Sequence, residues 1–403
     1  MSLVRSIVSY AKKGLLPQYH DMYEPALLRD PYPVYETLRN RSPVYRSFDD
    51  KQWYVSRHQE MKDVFRSPQA FSTAPTYAFW SKKKRAEMAY YRRHFSKWVT
   101  NLEAPNHTQA RKVLGGFLTP RFFQNCEPRI VAIIDDLLKE AGRRGSMEVV
   151  ADFSRPLSTM LICEIIGLPY RDVDLFMRWE ALIVDQSKPE SAQQSLQEMN
   201  AYIREVVEAR RRDAREDFIS ALIDAEGFDV DDICAQCVAL FFGGYQTTQD
   251  LIASGTQTLL DHPDERQKLI RDPRLIDPCV EELLRYESPV QRRMRLVKQD
   301  VVLGGKRLKA GDNVILLLGS ANRDEAVFPN PMLDITRTKN PHVAFGGGEH
   351  YCPGTVLTRL ETRLALPRLF QLFPDIRLVD EQPDWCVKNS NLRRLRTLPV
   401  LLK

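Results

Sequence analysis

Helical spacing of apolar positions dominates the chain from about residue 126 to residue 290. Strand-like alternation is confined to SPVYRSF and QWYVS near the start, DVVLGGKRLKAGDNVILLLG in the middle and LRTLPVLLK at the end. The pattern predicts a mainly α protein with a small β portion. Met88, Tyr91, Phe95 and Trp98 make one apolar stripe in SKKKRAEMAYYRRHFSKWVTN, which predicts an amphipathic basic helix there. No repeat, low-complexity tract or Gly/Ser linker divides the chain, so a single domain over residues 1–403 is expected. No apolar run reaches the roughly 18 residues of a membrane span. The opening MSLVRSIVSYAKKGLLPQY carries no secretion signal and at most a weak interfacial helix over residues 2–11.

An apolar share of 43% in 403 residues supports an extensive core. Lys and Arg number 58 against 53 Asp and Glu, a mild excess that argues neither for nor against a nucleic-acid partner. Its distribution says more: residues 82, 83, 84, 85, 92, 93 and 97 are cations against the lone acid Glu87. The seven cysteines are odd in number, scattered and too sparse for a disulfide scaffold, so a cytoplasmic, reducing setting is expected. Cys234 and Cys237 form a C-x-x-C inside an apolar helical run with no second pair, and read as buried helix cysteines.

The stretch FGGGEHYCPG, residues 345–354, concentrates the chemistry. Its glycines allow positive φ and let a large flat group approach the backbone. Neither G-x-G-x-x-G nor G-x-x-x-x-G-K-[ST] can be spelled here, so a phosphate cradle fits poorly. Pro353 suits a first helical position, which predicts Cys352 at a helix N-terminus, where thiolate is favoured over thiol. A nucleophilic cysteine needs a base held by a third group, and no such partner accompanies His350. His350 and Cys352 cannot close a zinc site alone, whereas one axial thiolate is all a haem iron requires.

FGGGEHYC satisfies F-G-x-G-x-H-x-C, and the chain thereby resembles the cytochrome P450 family, most closely its soluble bacterial type. Phe345, Gly346, His350, Cys352 and Gly354 fall on the family's haem-binding signature. The resemblance implies the triangular, mainly α haem-thiolate architecture, haem b as cofactor, and Cys352 as the iron ligand. EELLRY supplies Glu282 and Arg285 at the place of the family's K helix, and Arg337 in FPNPMLDITR matches their third partner, in a segment one residue shorter than usual. His107 and Arg111 in HTQAR, with Arg295 and His350, match the cations that answer the haem propionates.

ALFFGGYQTTQDLIASGTQTLL reads as a long central helix with a weak middle, where Thr247 can bond back to Gly243. It resembles the family's oxygen-activating helix, in which a threonine steadies dioxygen and an acid conducts protons. Gln246 stands where the acid belongs, and an amide cannot titrate. Proton delivery is then expected through Thr247, Thr248, water or the substrate.

The resemblance implies a monooxygenase inserting one oxygen atom from dioxygen into a small organic substrate, in specialised-metabolite biosynthesis. Oxidative coupling or another atypical outcome is the alternative that Gln246 raises. No flavin or nicotinamide segment is visible, so electrons from a separate ferredoxin and its NAD(P)H-dependent reductase are expected, with the chain acting as a monomer. The basic stretch, with Arg292 and Arg293, suggests an acidic or carrier-protein-bound substrate. The competing non-enzyme reading is a haem-free carrier-docking module, for which the thiolate loop would have no use.

Overall fold

The computed structural model describes residues 22–74, 82–184, 188–380, 382–387 and 391–402. The weak helix expected over residues 2–11 lies outside them. Helices dominate, as the apolar spacing predicts. Those that shape the site are α1 (Lys82–Glu87), α2 (Ala89–Ser96), α3 (Asn106–Phe117), α4 (Pro120–Arg144), α5 (Arg155–Ile166), α6 (Val173–Val184), α7 (Pro189–Arg212), α8 (Val230–Gly244), α9 (Gln246–Asp261), α10 (Ile276–Tyr286) and α11 (Thr355–Leu372).

Local chemistry sets these boundaries. Before α4, the Thr119 hydroxyl accepts from Phe122 N–H at 3.2 Å and Pro120 takes the first turn. Gly145 ends the helix in the left-handed region at φ +70°. Ile130, Ile133, Ile134 and Leu138 recur at helical spacing and are buried as the helix packs on α11.

Five strands build the main sheet: β1 (Val44–Arg46), β2 (Trp53–Val55), β3 (Phe71–Ser72), β4 (Arg292–Val297) and β5 (Asn313–Leu317). Their spatial order is β1-β2-β5-β4-β3, with β2 parallel to β5 and the other pairs antiparallel. Arg293 pairs with Leu316 and Arg295 with Val314. Three arginines in RRMRLV hide the apolar alternation of β4, and the strand pattern read from the sequence misses it. Smaller sheets join Val301–Leu303 to Lys306–Leu308, and Pro399–Leu401 to both Ser146–Glu148 and Arg377–Leu378.

Two expected helices are broken. The basic stretch divides at Met88 into α1 and α2, and Trp98 lies beyond the end of α2. Its stripe is still buried at Met88, Tyr91 and Trp98, while half-buried Phe95 stacks between the rings of Tyr91 at 4.2 Å and Trp98 at 4.0 Å. The central helix divides at Tyr245 into α8 and α9. A Cβ on Gly244 would lie 2.3 Å from Ile162 Cδ1, so glycine there lets α5 pack directly on the break. Residues of α8 belong to the apolar cluster around α6 and α7, and residues of α9 to the one around α4, α10 and α11. The break therefore falls at the seam between the two cores.

Candidate active site

Between Val343 and Thr355 the backbone closes on itself: Cys352 N–H donates to Phe345 O at 3.1 Å, and Tyr351 N–H to Gly348 O at 3.1 Å. Gly348 has φ +68°, and a Cβ on it would lie 2.3 Å from the Phe65 carbonyl oxygen, so only glycine fits. Gly346, at φ +74°, has no atom within 4 Å of a Cβ position. Phe345 is half-buried, and the Arg359 guanidinium stands 4.7 Å over its ring.

Helix α11 starts at Thr355 with Gly354 at its cap, so Pro353 forms a turn before the helix rather than its first residue. Burial pushes the Cys352 thiol up. The Gly354 N–H, Arg293, Arg111 and Arg359 pull the other way without cancelling it. The lowered thiol expected from a helix N-terminus is thus overruled by desolvation.

Around this thiol, α3 contributes His107 and Arg111, the loop His350, and β4 Arg295. The His107 and His350 rings stand 4.0 Å apart, and His350 Nε2 lies 3.1 Å from Thr73 Oγ1. Desolvation, reinforced by His107, Arg295 and Arg111, pushes His350 down to about 3, and desolvation also lowers His107. Desolvation thus opposes a positive charge on either imidazole, and each can serve a propionate as a neutral N–H donor. Arg111 and Arg295 carry the charge, Arg295 remaining protonated although burial lowers it to about 10.

The paired arginines of VQRRMR separate because strand side chains alternate. Arg293 keeps more than a third of its surface accessible while desolvation lowers its pKa, so it faces an interior space on the same side of β4 as Arg295. Arg292 is buried on the other side, donating to Met22 O at 2.8 Å, and leaves the site.

At the break between α8 and α9, Thr247 Oγ1 donates to Gly243 O at 3.1 Å, the bond its spacing predicts. Gly243 is exposed, with nothing near a Cβ position, so this turn opens onto space. Thr248 differs: it is buried and its hydroxyl lies 3.1 Å from Thr358 Oγ1 on α11, six residues past Cys352. It ties the two helices together and lies away from the open side that Thr247 occupies. The Gln246 amide lies against two charged groups. In one orientation its nitrogen donates to Glu180 Oε1 at 3.3 Å; in the other its oxygen accepts from Arg394 Nη1 at 2.7 Å and Nη2 at 3.0 Å. The shorter, charge-assisted pair assigns the oxygen to Arg394.

Beneath the loop, Glu282 accepts from Arg285 at 2.8 and 2.7 Å and from Arg337 Nε at 2.9 Å, so the three residues meet despite the shortened segment. Asn340 Nδ2 and Asp334 N–H also bond to it, at 3.1 and 2.9 Å.

A cytochrome P450 family model matches residues 169–388. The biotin biosynthesis cytochrome P450 of Bacillus subtilis (strain 168) is 33% identical over 93% of this chain and 96% of its own length. The vitamin D(3) 25-hydroxylase of Pseudonocardia autotrophica is 32% identical over 96% and 97%. Among solved structures, P450BioI in complex with acyl carrier protein ligated to hexadec-9Z-enoic acid superposes with a TM-score of 0.87 at 31% identity, covering 94% of this chain and all of that one. The chain belongs to the cytochrome P450 family. It has the P450 fold, carries haem b as P450 proteins do, and is an oxidoreductase of the monooxygenase type.

The residues in hand fit that cofactor. Cys352 faces three arginines, and it belongs to no group of three or more possible metal-ligating side chains among the described residues, which suits a single axial bond and not zinc. His107 Nε2 is buried without a partner, as an imidazole reserved for an acceptor would be. Glu180 and Arg394 were not legible in the sequence as site residues, because they come from α6 and the C-terminal segment, with no local motif joining them to Gln246. Among the described residues no helix is long and apolar enough to cross a membrane.

Glu361, nine residues past Cys352, is 1% exposed and pushed up to about 8 by burial, with only the Ser158 hydroxyl at 2.9 Å in support. Its folded pKa lies above its unfolded one, so its contribution falls as pH rises from the ordinary carboxylate range through about 8. Glu361→Gln is expected to remove an alkaline destabilisation on the order of 3 kcal/mol, read as a flatter denaturant midpoint against pH.

Proposed function

We propose that the chain hydroxylates an acyl-type substrate delivered on an acidic carrier protein, with Cys352 as the axial haem ligand. The observation that carries the catalytic part is the lone Cys352 thiol, surrounded by Arg111, Arg293 and Arg359 and backed by the unpartnered His107. Arg111 and Arg295 would answer the propionate charges, and His107 and His350 would donate N–H bonds to them. Phe345, Gly346 and Gly354 would shape the loop around the thiolate. The cofactor, when bound, supplies the activation of dioxygen.

This chain's residues do the rest. Thr247 offers a hydroxyl at the open turn, Gly243 leaves room beside it, and Arg293 sets the charge of the space that the substrate enters. The overall reaction takes a C–H bond, dioxygen, two electrons and two protons to a C–OH bond and water. A ferredoxin and its reductase would supply the electrons. Thr247, whose hydroxyl stands at the open turn, favours this outcome over oxidative coupling.

For the carrier, α1 has no buried residue and presents Lys82 and Lys83 to solvent, while it packs against α7 and runs into the buried apolar stripe that starts at Met88. A relative whose structure holds an acyl carrier protein supports this reading. Reversing the charge of Lys82, Lys83, Lys84 and Arg85 together is expected to weaken binding of an acyl carrier protein about tenfold or more at low salt, and to flatten its salt dependence. Unchanged affinity by titration calorimetry would remove the carrier and leave the monooxygenase.

A further inference from the structure

The amide at Gln246 leaves the oxygen-activating turn without its own acid, yet two buried carboxylates stand beside it. Glu180 of α6 is 7% exposed, and its Oε2 accepts from the Tyr245 hydroxyl at 2.8 Å. Asp250 of α9 is 1% exposed and lies one helical turn past Gln246. One guanidinium lies between them: Arg394 bonds the Gln246 amide, stands 3.5 Å from Asp250 Oδ1, and acts on Glu180 through its charge. Arg155 acts on both acids from α5, Tyr245 faces Glu180, and Cys386 faces Arg394. Two buried acids against one close cation disfavour double ionisation, so one proton is retained. Burial accordingly raises Glu180 and lifts Asp250 to about 7.

A route to solvent continues along α9. Asp250 Oδ2, Ser254 Oγ and Gln257 Oε1 are buried and unpartnered, and Gln257 Nε2 donates to the exposed Asp261 at 2.9 and 2.8 Å. Residues 246, 250, 254, 257 and 261 recur at spacings of four, four, three and four, so they share one face of the helix. Unpartnered buried polar atoms of this kind are ordinarily bridged by ordered water.

We propose that Asp250 and Glu180, clamped by Arg394, form the proton store that replaces the missing acid at Gln246, refilled from solvent along the Ser254–Gln257–Asp261 stripe. In each turnover two protons, matching the two electrons of the overall reaction and ending in one water, pass from a carboxyl O–H toward the Thr247 turn, and after each transfer the carboxylate left behind takes a proton back from the stripe. Both acids act at one remove, through the Thr247 hydroxyl and bridging water, and are positioning residues. The proposal rests on the haem-thiolate reading above.

Infrared titration of the haem-loaded protein with isotopically labelled carboxylates tests it directly. The wild type is expected to show a protonated side-chain carboxyl that titrates close to neutrality, absent in Asp250→Asn and restored in Asp250→Glu. In the same Asn variant, product formed per electron pair is expected to fall roughly 10–100-fold, with electrons released as peroxide instead. A wild type without the titrating carboxyl, or an Asn variant with unchanged partition to product, overturns the proposal. Should Asp250→Asn fail to fold, Glu180→Gln must shift the same titration, and Ser254→Ala must enlarge the solvent isotope effect on turnover. Neither change occurring also overturns it. The carbon monoxide spectrum of the reduced protein separates the two readings: a normal band with no titrating carboxyl sinks only the proton store, and an abnormal wild-type band sinks the haem-thiolate reading.

Discussion

Cys352→Ala is expected to abolish the displaced absorption band of the reduced carbon monoxide complex and all oxygenation, even in protein that still retains porphyrin. The sulfur is the one thiol in the loop, and the cations facing it are drawn from three separate elements: β4, α3 and α11. Cys163 in α5 and Cys126 in α4 lie outside the loop, and the charges acting on them are those of acids, Glu164 on both and Glu216 on Cys126, where Cys352 faces arginines. Cys126→Ala should leave the spectrum intact. The spectrum of the reduced carbon monoxide complex and haem content per chain decide the matter together. A Cys352→Ala protein that keeps the wild-type band and turnover would refute the assignment.

Glu282→Ala should produce the largest loss of stability. Arg285 and Glu282 are both fully buried, and Arg285 also donates to the carbonyls of Asn322, Pro331 and Met332 at 3.0 Å each. Removing the carboxylate strands Arg285 and half-strands Arg337, and uncompensated buried charge of this kind costs about 3–5 kcal/mol. It also frees Asp334 N–H and Asn340 Nδ2, which tie the segment leading into the Cys352 loop. The expected result is a markedly lower urea midpoint with reduced haem retention. Glu282→Asp, which keeps the charge on a shorter stem, should lose less. A midpoint within error of the wild type would show that the cluster is not a structural anchor.

Much of this architecture was legible from short-range pattern. The Thr247 bond to Gly243, the burial of Met88, Tyr91 and Trp98, and the meeting of Glu282, Arg285 and Arg337 all follow from helical spacing or motif order. Strand β4 escaped because arginine side chains carry no apolar signal even where their stems pack. The state of His350 escaped for a different reason. An imidazole's charge is set by how much protein covers it and which cations face it, and neither is a property of FGGGEHYC.

The chain's local residue order by itself determined the helices, the glycine-lined loop and the presence of one cysteine suited to an axial bond. Those features depend on backbone freedom, spacing and side-chain type, which act over a few residues. Tertiary structure alone decided which neighbours face the site: Arg293 inward and Arg292 away, Thr248 toward Thr358, and Glu180 and Arg394 beside Gln246. Desolvation and Coulomb interaction act through space, so groups more than two hundred residues apart in the chain set the charge at the turn that handles oxygen.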